Sequence, residues 1–192
     1  GLDEKKNPVF KEMANEYGIA DTSFSVHAAF LDYDNDGDPD LFIGAGRVNG
    51  SLSPDYLFNN NHAQGNNSFS QINSTPLGTD LHDGQIYNWI DFDNDGDLDA
   101  FVVNWYQQPN LFYTNNGSAT FTQITGAPVV TSGGFSETAS WGDYDNDGLL
   151  DLYVTRSGGT AATNKNLLYH NDGGNTFTKI LEEKTVTQSV IL

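Results

Sequence analysis

The stretch Asp32-Tyr33-Asp34-Asn35-Asp36-Gly37-Asp38-Pro39-Asp40 returns 59 residues later as Asp91-Phe92-Asp93-Asn94-Asp95-Gly96-Asp97-Leu98-Asp99. After 52 more it appears as Asp143-Tyr144-Asp145-Asn146-Asp147-Gly148-Leu149-Leu150-Asp151. Each copy reads D-[YF]-D-N-D-G-x-x-D. Four or five carboxylates within nine residues repel one another, so folding them into a compact loop is costly without a counter-ion. A hard cation reverses the sign of that cost. Calcium takes six to eight oxygens at roughly 2.3–2.6 Å in a flexible shell, whereas magnesium demands a tighter octahedron and fits less well. Side chains at loop positions 1, 3, 5 and 9 can converge on one ion, and position 7 can present a backbone carbonyl. Position 7 is Asp38, Asp97 and then Leu149, which has no side-chain oxygen to give. Glycine at position 6 permits the sharp turn.

The competing reading is an EF-hand, which opens with the same D-x-D-x-D-G but needs Glu at position 12 and a helix on each side. Position 12 here is Ile43, Val102 and Val154. The flanking runs, Ala28-Ala29-Phe30-Leu31 and Leu41-Phe42-Ile43-Gly44-Ala45 around the first loop, are short and β-rich, as are Ala100–Val103 and Leu152–Thr155 after the others. They read as strands with an ion in the turn between them. The second half of each unit repeats too. Asp55–Asn60 leads to Ser68–Ile72, Asn110–Asn115 to Thr120–Ile124, and Asn166–Asn171 to Thr176–Ile180, with Asn116-Gly117 and Asp172-Gly173-Gly174 as hairpin turns and a longer first connection.

One unit is therefore four short strands, and a four-stranded unit of 50–60 residues is the signature of a β-propeller blade. The expected fold is all-β: a propeller segment of about three four-stranded blades, at residues 22–75, 76–127 and 128–183. Residues 1–21 read as a lead-in or the end of a preceding blade. Within them Pro8–Met13 resembles a leftover fourth strand, and a helix around Phe10–Tyr17 is the alternative. Residues 184–192 read as a tail or the start of a following strand. Propellers close with four to eight blades, so the segment is expected to belong to a longer polypeptide or to be completed by other chains.

The three loops, the aromatic residue at position 2 and the L-F and F-T runs resemble the VCBS / FG-GAP repeat family, most closely at Trp141–Gly148. The resemblance covers roughly residues 22–181. It implies a β-propeller, similar to the integrin α-subunit head, with one calcium in the loop joining the first two strands of each blade, about three in all. The side-chain ligands it implies are Asp32, Asp34, Asp36 and Asp40, then Asp91, Asp93, Asp95 and Asp99, then Asp143, Asp145, Asp147 and Asp151. Asp38, Asp97 and Leu149 contribute through their carbonyls. Pro39 at position 8 and Leu149 at position 7 depart from the common pattern. The family is mostly extracellular or surface-anchored and serves in adhesion, in ligand or carbohydrate binding, or as a scaffold beside a catalytic domain.

Composition narrows the partners. The chain has 192 residues, with 8 Lys plus Arg against 26 Asp plus Glu, for a net charge of -18. The three loops hold 14 of the acidic residues. No basic face is available for nucleic acid, and an anionic membrane surface repels such a chain. Cysteine is absent, which removes disulfides, thiolate metal sites and cysteine nucleophiles. No apolar run approaches 18 residues, so no spanning helix is expected.

Candidates for chemistry beyond the loops are few. His82-Asp83 is the most tempting acid–base pair, but it is expected in a surface loop with no third partner. His27 reads as a packing residue, and His62 and His170 as turn residues. Glu137 reads as an isolated surface carboxylate and Glu182-Glu183 as a solvated charge run. Trp89 and Trp141, with Phe30 as their counterpart, read as blade-to-blade core. Trp105-Tyr106-Gln107-Gln108 reads as a packed linker, with stacking on a sugar or gripping of a peptide as the second reading. Asn66, Asn73 and Asn116 start Asn-x-Ser/Thr triplets, relevant only in a glycosylating pathway. The expected function is a non-catalytic, calcium-stabilised extracellular or cell-surface module for adhesion, ligand binding or scaffolding. Its partners would be a protein or carbohydrate ligand and further blades, without nucleic acid or membrane insertion. The alternative is an accessory propeller of a polysaccharide lyase or glycoside hydrolase.

Overall fold

The computed structural model describes residues 3–20, 23–47, 49–117, 120–158 and 165–182. Each acidic stretch closes a hairpin, because its last Asp opens the strand that pairs back on the one before it. In the first unit β1 (Ser25–Leu31) pairs antiparallel with β2 (Asp40–Ala45), Leu31 opposite Asp40. A two-stranded bridge forms from β3 (Ser53–Pro54) and β6 (Leu81–His82), and the first unit adds β4 (Tyr56–Asn60) and β5 (Phe69–Ile72). The second unit is β7 (Gly84–Ile90), β8 (Asp99–Asn104), β9 (Leu111–Asn115) and β10 (Phe121–Gln123). The third is β11 (Ser136–Gly142), β12 (Asp151–Arg156), β13 (Leu167–Gly173) and β14 (Thr176–Glu182).

The result is three four-stranded antiparallel sheets, each strand hydrogen-bonded to its neighbour in the unit: β1-β2-β4-β5, β7-β8-β9-β10 and β11-β12-β13-β14. The register repeats to the residue. Ile90 faces Asp99 and Gly142 faces Asp151, and each first strand carries one irregularity near its start, at Ser25/His27, Gly84/Ile86 and Ser136/Thr138. Such an irregularity locally increases a strand's twist, and here it recurs at the strand end away from the acidic loop. The tight β13–β14 turn is Gly174-Asn175, with φ of 56° and 65°, which suits a two-residue hairpin whose central residues both need positive φ.

The sheets stack face to face because the second strand of the middle unit is apolar on both sides. Every residue of β8 is buried. Ala100 and Val102 join Phe42, Leu57 and Tyr87 in one core, and Phe101 and Val103 join Leu152, Val154 and Tyr169 in the next. Trp89 and Trp141 lie where repeat position predicts: the Trp89 ring is 5.1 Å from Phe42, and Trp141 is 5.5 Å from Phe101. Their counterpart Phe30 is 68% exposed, with no earlier sheet among the described residues to cover it. Two of the position-2 aromatics also point into the following unit. Tyr33 packs near Phe121 and Phe92 near Phe177.

The lead-in departs from both sequence readings. Residues 9–13 lie in no strand, and the helix is one turn, Ala14–Tyr17, capped by Gly18. Phe10 is 93% exposed, so no apolar contact holds a strand or a longer helix there. The tail at 184–192 and the linker residues 159–164 lie outside the described residues.

Candidate metal centres

Every acidic loop has the same backbone. The position-4 Asn residues stand in the left-handed region, with φ of 58°, 61° and 65° at Asn35, Asn94 and Asn146, and the position-6 glycines follow at 91°, 93° and 91°. No atom lies within 4 Å of a Cβ built on Gly37, Gly96 or Gly148, so glycine is required for its conformation and not for space. Asn is the non-glycine residue that tolerates this region best.

Carboxylates hold this shape by accepting main-chain N–H groups. The position-1 Asp accepts from the position-6 glycine, at 3.1 Å in Asp32 and Asp91 and 3.0 Å in Asp143. The position-5 Asp accepts from position 7, at 3.0 Å for Asp36 and 2.9 Å for Asp95 and Asp147. Position 9 is buried and uses both oxygens. Oδ2 of Asp40, Asp99 and Asp151 accepts the N–H of Tyr33, Phe92 and Tyr144. Oδ1 accepts the N–H of Asn60, Asn115 and Asn171 on the third strand. Each position-9 residue thus staples the loop entrance to the sheet, and each oxygen keeps a lone pair for another partner.

In each loop three of the four expected side chains converge. A carboxylate oxygen from each of Asp32, Asp34 and Asp36 lies within 4.8 Å of the other two, as do those of Asp91, Asp93 and Asp99, and of Asp143, Asp145 and Asp151. Asp145, Asp147 and His170 form a further group in the third loop. Asp40 and Asp95 stand outside their loops' tightest groups. The position-7 side chains do not enter these groups; Asp97 instead accepts from Asn35 at 2.6 Å.

The electrostatics match crowded carboxylates. Burial raises the pKa values of Asp34 and Asp93 above the ordinary carboxylate range, and the neighbouring Asp36 and Asp95 charges add to the shift. Burial pushes Asp40 up to about 6 and Asp99 up to about 7, against the opposing pull of their main-chain hydrogen bonds. Asp32 Oδ1 is buried without a hydrogen-bond partner. The three all-carboxylate groups, by their charge and spacing, suit a hard metal ion.

Two sets of asparagines were not singled out as functional by the sequence. Asn115 Nδ2 donates to Tyr33 O of the preceding loop at 2.6 Å and to Leu98 O of its own at 3.3 Å. Asn171 does the same with Phe92 O and Leu150 O, and Asn60 holds Pro39 O. Asn35 Nδ2 reaches Gly96 O at 3.4 Å, and Asn94 Nδ2 reaches Gly148 O at 3.1 Å. The available signal was identity: Asn fills both positions in all three units, where a turn or strand end alone would accept several residues.

Outside the loops, several expectations are corrected. His82 is not in a surface loop. It lies in β6, 2% exposed, with Nε2 2.9 Å from Asp55 Oδ2, an ion-pair distance off the line of a good hydrogen bond. Asp55 Oδ1 also accepts from Tyr87 Oη and Ala45 N, each at 2.8 Å. Asp83 pairs with Arg47 at 3.3 Å. This buried network fills the seam between the first two sheets, which the repeat pattern could not reveal because Asn110 and Asn166 replace Asp55. His170 is in β13, not a turn, with Nε2 3.0 Å from Asp145 Oδ2. Glu137 is half-buried and accepts from Ser157 Oγ.

His27 packs on Tyr87 and burial lowers its basicity. His62 sits in a turn beside Asn67. Trp105 packs on Phe135, while Tyr106 is 59% exposed under the Arg47 guanidinium. Asn66, Asn73 and Asn116 are exposed.

No curated protein matches the chain. The FG-GAP-like repeat matches residues 32–102 and again 91–154. Both matches begin at position 1 of an acidic loop and end within the second strand of the following unit. With the repeated loop, its stapled position 9 and the stacked four-stranded sheets, this coverage of more than half the sequence establishes that the chain belongs to the FG-GAP-like repeat family.

Proposed function

We propose that the chain is a calcium-stabilised, non-catalytic β-propeller module that acts outside the cell or at its surface in adhesion, ligand binding or scaffolding. One observation carries the reading: a converging carboxylate group recurs at the same corner of three stacked sheets. A bound calcium supplies the positive charge that these carboxylates otherwise lack. The chain's own residues would hold it: positions 1, 3, 5 and 9 through carboxylates, and position 7 through its carbonyl. A role without turnover is supported by the fate of the other titratable groups. His82 and Asp83 are spent on Asp55 and Arg47. Partly open loops suit affinities of about 10⁻⁴–10⁻³ M, the range of extracellular calcium modules.

Calorimetry and equilibrium dialysis in chelator and in millimolar calcium test the reading. The expected result is uptake of three ions and a rise in the unfolding temperature of at least about 5 °C. No uptake, or unchanged melting after chelation, overturns it. Binding to a glycan or protein array without turnover fits the module; turnover of a glycan by the intact chain would show an enzyme instead.

A further inference from the structure

We propose that Asn35 and Asn94 are positioning residues that couple each acidic loop to the next, so that a cation held in one loop raises the affinity of its neighbour. The inference rests on the calcium reading above. Asn35 lies between Asp34 and Asp36, and its side-chain amide donates to Gly96 O and to Asp97 Oδ1. Asn94 lies between Asp93 and Asp95 and donates to Gly148 O. The acceptor in each case belongs to the peptide joining position 6 to position 7. That peptide's own N–H, from Asp97 or Leu149, is held by the position-5 carboxylate, Asp95 or Asp147. One amide therefore ties positions 3–5 of one loop to positions 5–7 of the next.

The rest of each loop is already fixed. Asn115 and Asn171 bridge position 2 of one loop to position 8 of the next from buried sites, and the position-9 carboxylates are anchored in the sheet. The exposed tip, which carries the position-3 and position-5 ligands, is held within its loop only by carboxylates that an ion would also engage. Asn35 and Asn94 are themselves exposed, so they are not needed to fill a core, and glycine would satisfy the same backbone. Ordering a tip costs conformational entropy. An ion that orders one tip fixes the amide or carbonyl it shares with the next, and the second ion then orders less. Linkage makes the effect reciprocal.

The test uses the full chain and reads each loop separately. The amide resonances of Gly37, Gly96 and Gly148 report loops one, two and three as calcium is titrated. Asp93→Asn weakens loop two and is expected to move the Gly148 midpoint upward by about fivefold or more, the low end of typical coupling. In an Asn94→Gly background, which keeps the positive φ, the same Asp93→Asn change is expected to move Gly148 by less than about twofold. Asp34→Asn, Asn35→Gly and the Gly96 resonance give the same cycle one loop earlier and do not depend on the Asn94 variant folding well. A Gly148 midpoint indifferent to Asp93→Asn, or a shift equally large without Asn94, overturns the coupling. No response at any of the three glycines overturns calcium binding itself, and the coupling with it.

Discussion

The position-9 aspartate serves structure before it serves a metal. Asp99 is fully buried, accepts two main-chain N–H groups and still contributes an oxygen to the Asp91–Asp93 group. Burial pushes its pKa up to about 7 and that of Asp40 up to about 6. The consequence for stability has a definite sign. Between about pH 4 and 7 the folded chain keeps protons that the unfolded chain has released, so stability falls as pH rises across that window and levels off above it. In chelator, the unfolding temperature is therefore expected to drop from pH 5 to pH 8. In saturating calcium the slope should flatten or reverse, because the ion favours the ionised form. Asp99→Asn, which cannot ionise, should remove part of the slope in chelator. Thermal melts across pH with and without calcium decide this, and a rising curve in chelator would contradict it.

At the scale of elements, the repeat made the strands legible because local pattern and packing agree. The runs after each loop are apolar on both faces, and burial on both sides is what β8 shows. The signals that failed depend on partners elsewhere in the chain. Pro8–Met13 has the composition of a strand, but beyond a single bridge residue at Pro8 it forms no strand. His82 reads as a loop residue until Ser53 of β3, 29 residues earlier, pairs with it. The asparagine bridges were invisible because nothing local marks which carbonyl of a neighbouring loop an amide will meet. Equivalent positions also differ in weight according to what covers them. Trp141 is ringed by Phe92, Phe101, Phe112 and Phe177 within 6.4 Å, whereas its counterpart Phe30 is mostly exposed. Trp141→Ala is expected to cost about 3 kcal/mol or more. Phe30→Ala should change stability by no more than about 0.5 kcal/mol. Urea unfolding of the two variants, in calcium, measures the contrast; equal effects would show that the inter-sheet core is not where the stability resides.

Over the whole molecule, two kinds of repulsion act at different ranges, and they can be separated. The net charge of -18 acts across the surface, over distances comparable with the Debye length of about 10 Å at 0.1 M salt. Within each loop, carboxylate oxygens sit within 4.8 Å of one another, closer than moderate salt can screen. Sodium chloride should therefore relieve the first repulsion and leave most of the second, while calcium binding relieves both. In chelator, the unfolding temperature is expected to rise between 10 mM and 500 mM sodium chloride, yet to stay below the value reached with millimolar calcium at low salt. With calcium bound, the same increase in salt should have a smaller effect, since three ions would already bring the net charge to about -12. If sodium chloride alone restored the full calcium-bound melting temperature, diffuse surface charge would account for the acidic loops, and a specific ion in each would not be needed.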